Sequence, residues 1–224
     1  MTNFSLAPGA TLVVQDTRVN LLDSANAAGL AKATSVQLTG SNTVTASQAK
    51  SLAAVPNFSL ATGATLVVTG TATELLYSAN VAGVAKATSV QLTGSSNTVA
   101  VNQATTFAAL RNFSLATGAT LVVQGSASNL LNISYAAGLA KATSLQLTGS
   151  NTATLSQANS LAALRNFSLA TGATLVVQGG LLGLLDSFYA TGLAKATSVQ
   201  LTGNITVTAS QCPSKNILIP LNPL

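Results

Sequence analysis

The phrase NFSLATGATLVV occurs unchanged at 57–68, 112–123 and 166–177, and again at 3–14 with Pro8 in place of threonine. A second phrase, KATS, begins at Lys32, Lys86, Lys141 and Lys195. The starts of the first series, Asn3, Asn57, Asn112 and Asn166, advance in step with those of the second, so the chain carries four copies of one unit in a common phase. Self-similarity at such a period constrains the fold more than any composition does. A single unit cannot cover its own apolar face, so an adjacent copy has to cover it. The middle step of each series is longer than the others by a single serine in GSSNTV (94–99), where other copies read GSNT or GNIT. Everything downstream stays in phase, which places the insertion in a loop.

Each unit holds two clear strand patterns. ATLVVQ (10–15) alternates Leu12 and Val14 with Thr11, Val13 and Gln15. TSVQLTG (34–40) alternates Val36 and Leu38 with Ser35, Gln37 and Thr39. Period two with β-branched residues beside glycine predicts half-buried strands. TASQAKSLAAV (45–55) sets Ala46, Ala49, Leu52 and Ala53 on one helical face. Thr45 and Gln48 have capping-box spacing, repeated at Thr154/Gln157 and Thr208/Gln211, with Ala100 in the second copy. A further helix near 17–28 presents Leu21, Leu22, Ala25 and Ala28. It is expected to stop in a left-handed cap at Gly29, matched by Gly83, Gly138 and Gly192.

The expected fold class is therefore an α/β solenoid of four β-α-β-α repeats, with a parallel sheet on one face and short helices on the other. Strand spacing gives coils of about 24 and 30 residues, and eight strands about 4.8 Å apart make a sheet nearly 40 Å long. The alternative is an all-β solenoid in which FSLA and NTVT are further strands. Residues 1–211 form one repeat array and 212–224 a non-repeat tail. The array is expected to be a piece of a longer one, prone to end-to-end self-association. The rival expectation makes 212–224 a cap.

The chemistry available is narrow. There is no histidine, and the acids are Asp16, Asp23, Glu74 and Asp186 alone. That removes most triads and most metal sites. Asp23 and Asp186 share a repeat position three copies apart, too far for paired carboxylate chemistry. Cys212, the sole cysteine, has no histidine to activate it and cannot form an intrachain disulfide. No GGxGxD calcium motif follows Gly179–Gly180. The reading is a non-enzyme with no catalytic, cofactor or metal site. A net charge of +5 reflects few acids, because the bases are scattered singly, so no nucleic-acid partner is expected. Lys32, Lys86, Lys141 and Lys195 read as solvated residues past helix ends. No apolar run spans a membrane, and MTNFSLAPGA lacks the form of a signal peptide. The NFS triplets match glycosylation acceptors, but their phenylalanines read as core plugs and their Asn and Ser as turn hydrogen-bonders.

What remains is the outward strand face. In the first copy it comprises Thr11, Val13 and Gln15 with Ser35, Gln37 and Thr39. The second supplies Thr65 and Val67 with Ser89, Gln91 and Thr93. The third supplies Thr120, Val122 and Gln124 with Ser144, Gln146 and Thr148, and the fourth Thr174, Val176 and Gln178 with Ser198, Gln200 and Thr202. This is the candidate interaction face. A Thr-bearing strand array could match an ice lattice, which is the alternative function beside a generic protein-binding solenoid. The segments at 16–28, 70–82, 125–137 and 179–191 escape the copying and are the places where partners are chosen.

The wording LAKATSVQLTGSNTVTASQA, LAAL and FSLATGATLVV resembles the repeat regions of very large bacterial surface and secreted proteins of adhesin-like type. The resemblance covers nearly all of 3–211. The coil lengths and Leu/Val ladder are similar, more distantly, to leucine-rich repeats. The resemblance implies an extracellular or cell-surface location and a structural, adhesive role. Its partners would be other proteins or cell-surface polymers.

Overall fold

A computed structural model describes residues 4–204; Thr208, Gln211, Cys212 and the rest of 205–224 lie outside the described residues. The chain divides into two compact units. One holds the described residues up to Asn97 together with Phe107–Thr120, the other Thr98–Thr106 together with the described residues from Leu121 on.

The first copy runs β1 (Val13–Asp16), α1 (Arg18–Leu21), α2 (Ala27–Leu30), β2 (Ser35–Leu38), β3 (Ser41–Thr45) and α3 (Ala46–Ala53). The second runs β4 (Phe58–Leu60), β5 (Thr65–Gly70), α4 (Ala72–Leu76), α5 (Val81–Val84), β6 (Ser89–Leu92), β7 (Asn97–Ala100) and α6 (Val101–Ala109). The third runs β8 (Ser114–Leu115), β9 (Leu121–Gly125), α7 (Ala127–Leu130), α8 (Ala136–Leu139), β10 (Ser144–Leu147), β11 (Ser150–Thr154) and α9 (Leu155–Ala162). The fourth runs β12 (Ser168–Leu169), β13 (Thr174–Gly179), α10 (Leu181–Leu185), α11 (Ala190–Leu193) and β14 (Ser198–Leu201). The same α/β order thus recurs with the sequence period.

The strands make four parallel sheets of three or four strands in place of one eight-stranded sheet. The first unit contains β1-β2-β4 and β3-β5-β6-β8; the second contains β7-β9-β10-β12 and β11-β13-β14. The cause is a corner. At Gly40 the chain adopts φ +70°, a left-handed conformation open to glycine, and leaves β2 for β3 in another sheet. Both segments of the all-β alternative contribute strands, NTVT in β3 and FSLA from the second copy on, but these coexist with helices. The pairings Val13↔Ser35, Val67↔Ser89 and Ser41↔Thr65 all join strands close in sequence, and none reaches across the longer of the two expected coils. The inserted serine falls in the corner between β6 and β7, as expected.

Local chemistry explains the other turns. In the second copy the Ala64 N–H donates to the Ala61 carbonyl at 3.0 Å, with Gly63 at φ +78°, the arrangement of a type II turn. The first copy repeats it from Ala10 to Ala7 at 3.0 Å with Pro8 at the position where a fixed φ suits the turn, so the Pro8/Thr exchange is neutral. Helices α3 and α9 begin in complete capping boxes at Thr45/Gln48 and Thr154/Gln157. Ala46, Ala49 and Leu52 of α3 are buried, and Ala53 is half-buried.

The helix expected over 17–28 is instead broken into α1, a 3-10 turn at Ser24–Asn26, and α2. Asp23 is extended (ψ 121°), and its carboxylate accepts from the Ala25 N–H, restarting the chain in a new direction. Leu21 is buried and Leu22 half-buried, but Ala25 and Ala28 are exposed. The glycine expected as a left-handed cap sits inside the helix. Gly83 lies within α5, where an added Cβ would strike the backbone of Ala49 and Lys50 in α3. Gly138 meets Ala104 and Thr105, and Gly192 meets Ala158 and Asn159, in the same way within the second unit. Glycine is there for close helix approach.

In each unit the core is the inward strand residues and the buried helix face. Val36, Leu38, Leu66, Val68 and Leu52 are fully buried in the first, as are Leu121, Val123, Leu147 and Leu161 in the second.

Candidate functional site

The outward strand residues are arranged in rows set by parallel register. In the first unit Val13 lies opposite Ser35, and Gln15 opposite Gln37, which lies opposite Ser59. The other sheet of that unit holds the row Thr43–Val67–Ser89 and the row Thr45–Thr69–Gln91–Ser114, with Thr65 opposite Ser41. The second unit has Val122–Ser144 and Gln124–Gln146–Ser168 in one sheet. Its other sheet has Ser150–Thr174, Thr152–Val176–Ser198 and Thr154–Gln178–Gln200. Thr11 precedes its strand, whereas Thr39, Thr93, Thr148 and Thr202 follow theirs. Thr120 belongs to the first unit and donates its hydroxyl to the Ser95 carbonyl at 2.6 Å.

All of these side chains are exposed or half-buried, and the alternation of inward and outward residues follows the sequence pattern. The expected single face is nevertheless distributed over four sheets. Its polar groups are also turned on each other. The amide of Gln15 donates to Gln37 at 2.7 Å, Gln124 to Gln146 at 2.9 Å and Gln178 to Gln200 at 2.6 Å. Each pair ties neighbouring rungs together, and no row is threonine throughout.

Several polar residues staple the rungs, and of these the KATS threonines and Asn97 have no role in the sequence reading, whereas the NFS asparagines are read there as turn hydrogen-bonders. The Thr88 hydroxyl accepts from the Leu66 N–H at 2.9 Å and donates to the Leu66 carbonyl at 3.0 Å. Thr34, Thr143 and Thr197 accept from Leu12, Leu121 and Leu175 in the same manner. Their signal was the unvarying threonine of KATS. Asn57, Asn112 and Asn166 take positive φ and donate to carbonyls of the preceding rung, at Ala33, Thr88 and Thr143. The adjoining Phe58, Phe113 and Phe167 are buried, as read from NFS. Asn97 is the most saturated: it accepts from Ala72 and donates to the carbonyls of Thr93, Gly94 and Thr120. Among the described residues, no buried side-chain polar atom lacks a partner.

The acids serve the backbone as well. Asp16 accepts from the Thr17 N–H at 2.7 Å and from the Asn20 amide, which hold its carboxyl below the ordinary value of 3.8. Asp23 and Asp186 accept from Ala25 and Phe188, each at 2.9 Å. Glu74 closes a capping box with Thr71 at the start of α4. Every carboxylate side chain therefore accepts from a backbone N–H at or near the start of a helical turn. Lys32, Lys86, Lys141 and Lys195 are exposed just past their helices, and the Lys195 ammonium donates to the Phe167 carbonyl at 3.4 Å.

Among the described residues, no group of three or more His, Cys, Asp or Glu could hold a metal, and no helix is long and apolar enough to cross a membrane. Apart from Phe4, Leu6 and Val13 in the first copy, the exposed large apolar side chains lie in the non-copied segments. Val19, Tyr77 and Val81 protrude in the first unit, and Ile133, Leu182, Leu185 and Phe188 in the second. Beside Ile133 an open cleft of ≈ 460 Å³ is lined by Leu130, Leu139, Leu145 and Leu164. No protein-family model matches the sequence, and no curated protein matches it significantly.

Proposed function

We propose that this chain is a non-catalytic, solenoid-like scaffold segment of an extracellular or cell-surface protein, with helices on one side and sheets on the other, adhering to proteins or surface polymers. The observation that carries the reading is the use made of its functional groups. All four carboxylates accept from backbone N–H groups, and the outward Gln15, Gln124 and Gln178 bond to Gln37, Gln146 and Gln200. The return of the same strand registers from copy to copy, as in Val13↔Ser35 and Val67↔Ser89, supports copy-on-copy stacking. Adhesion then falls to the non-copied segments, whose apolar side chains face solvent.

Protease treatment of intact producing cells tests the location: rapid loss of the repeat region is expected, and full protection would overturn it. Purified chain is then applied to surfaces coated with cell-wall polymers or extracellular proteins. Replacing Tyr77, Val81, Ile133, Leu182 and Phe188 with serine should abolish retention while leaving the circular dichroism unchanged. Turnover of a generic hydrolase substrate that disappears in Cys212→Ser would defeat the non-catalytic reading.

A further inference from the structure

The triplet Asn-X-Ser/Thr, the acceptor pattern for sugar transfer to an amide nitrogen, is complete within the described residues at 57–59, 112–114, 132–134 and 166–168. The fold treats these triplets in two different ways. In the NFS triplets the asparagine takes a left-handed backbone, at φ +54° for Asn57 and +46° for Asn112 and Asn166. Its amide nitrogen donates to a carbonyl of the preceding rung: Asn57 to Ala33 at 3.1 Å, Asn112 to Thr88 at 2.9 Å, Asn166 to Thr143 at 2.8 Å. The middle phenylalanine is 6–8% exposed. The serine is held in a parallel ladder, Ser59 opposite Gln37, Ser114 opposite Gln91 and Ser168 opposite Gln146. A transferase could engage such a triplet only by drawing a phenylalanine from the core and a strand from its sheet. A sugar attached before folding would instead compete with the bond to the preceding rung.

The NIS triplet at 132–134 is free of all three constraints. It lies in the non-copied segment of the third copy, where the other copies read DSA, YSA and DSF and offer no acceptor. Asn132, Ile133 and Ser134 are all exposed, and Ile133 is 85% exposed where the NFS phenylalanines are buried. Asn132 has an extended backbone, with φ -78° and ψ 119°. Its side-chain oxygen accepts from the Ser134 N–H at 2.9 Å, which folds Ser134 back on the Asn132 side chain. That bond uses the amide oxygen and leaves Nδ2 outside the turn.

We infer that Asn132 is an N-glycosylation site of the folded chain, and that Asn57, Asn112 and Asn166 are not. The co-substrate is a sugar activated as a phosphate ester. Nδ2 of Asn132 bonds to the anomeric carbon, the anomeric C–O bond breaks, and the phosphate leaves with its electron pair. A proton from Nδ2 passes to a base of the transferase, and nothing is oxidised or reduced. The inference rests on the extracellular or cell-surface reading above, because such acceptors are used on the surface loops of secreted chains.

Peptide mapping by mass spectrometry tests it on full chain isolated from the producing cells, beside chain from a host without N-glycosyltransferases. A hexose or N-acetylhexosamine increment is expected on Asn132 in the first material alone, with Asn57, Asn112 and Asn166 bare in both. Ser134→Ala keeps the backbone N–H that bonds Asn132 but removes the hydroxyl of the acceptor pattern, so it should lose the sugar entirely. Ser134→Thr should keep it. All variants should retain the wild-type circular dichroism, which separates a lost acceptor from a lost fold. Bare Asn132 in the producing-cell material, a sugar that survives Ser134→Ala, or equal modification of the NFS asparagines overturns the inference. Bare Asn132 on a chain that surface protease removes refutes the site and leaves the location standing. A sugar on Asn132 of a fully protected chain supports the site and defeats the location.

Discussion

Gly29 and Gly83 occupy the same position of successive repeats, yet alanine should have opposite effects at the two. Both lie inside short helices, where replacing glycine by alanine lowers the entropy lost on folding and stabilises by about 0.5–1 kcal/mol. At Gly29 nothing stands within 4 Å of the new Cβ, so that gain is the whole effect. At Gly83 the Cβ would lie 2.7 Å from the Ala49 carbonyl oxygen and closer still to the Ala49 carbon and the Lys50 nitrogen. These are backbone atoms of α3, whose Ala49 and Leu52 are themselves fully buried, so no side chain can swing aside. Helix α5 has to lift off α3, an overpacking penalty at the upper end of about 1–3 kcal/mol. The propensity gain is common to both variants and cancels in their difference, leaving a gap of about 3 kcal/mol. For a unit of this size that corresponds to roughly 10 °C in melting temperature. Urea and thermal unfolding at low micromolar concentration, followed by circular dichroism, read it directly. If both variants are destabilised alike, the glycine is a left-handed cap and the packing argument fails. Equal stabilisation of both would refute it as well.

Thr88→Val keeps the shape of the side chain but leaves the Leu66 N–H without its acceptor, and should lower unfolding free energy by about 1–3 kcal/mol in a urea titration. Asn97→Leu leaves the Ala72 N–H and the Thr93 carbonyl without the partner that Asn97 supplies, while the Gly94 and Thr120 carbonyls keep backbone N–H donors, so a loss of about 3 kcal/mol is expected. Asn42→Leu, whose amide meets only Thr39 and Gly40, should lose less in the same titration. Asp16 is held below its ordinary 3.8 by the Thr17 N–H and the Asn20 amide, so the folded state favours its ionised form. Its contribution to stability is present above about pH 4 and fades as pH falls through the lowered value. Asp16→Asn should remove that component from a stability–pH profile.

How far the sequence speaks depends on the range of the interaction concerned. The boxes at Thr45/Gln48 and Thr154/Gln157 are local and were legible, whereas Thr71/Glu74 sits in a segment that differs between copies and was read only as part of a longer helix. Strands as short as β8 and β4 cannot show a period, and only pairing with a strand one coil away defines them. That is why one sheet was expected where the corner at Gly40 makes two. At Gly83 the same residue type serves a cap or a close approach, and only the position of α3 separates them. The outward face was correctly separated from the core by alternation, but the Gln–Gln pairs depend on which rung meets which.

Three copies of NFSLATGATLVV are chemically indistinguishable, so each strand that pairs with one could pair with another. The native partner lies a single coil away: Ser89 pairs with Val67 in the copy of the phrase before it, whereas the equivalent Val122 belongs to the copy after it and lies only about half as far again along the chain. Closing the longer loop costs about 0.4 kcal/mol more entropy, a bias of roughly twofold per pairing towards the correct neighbour. Chain length alone thus discriminates only weakly between identical strands, and even that bias fades wherever another molecule brings the same phrase close by.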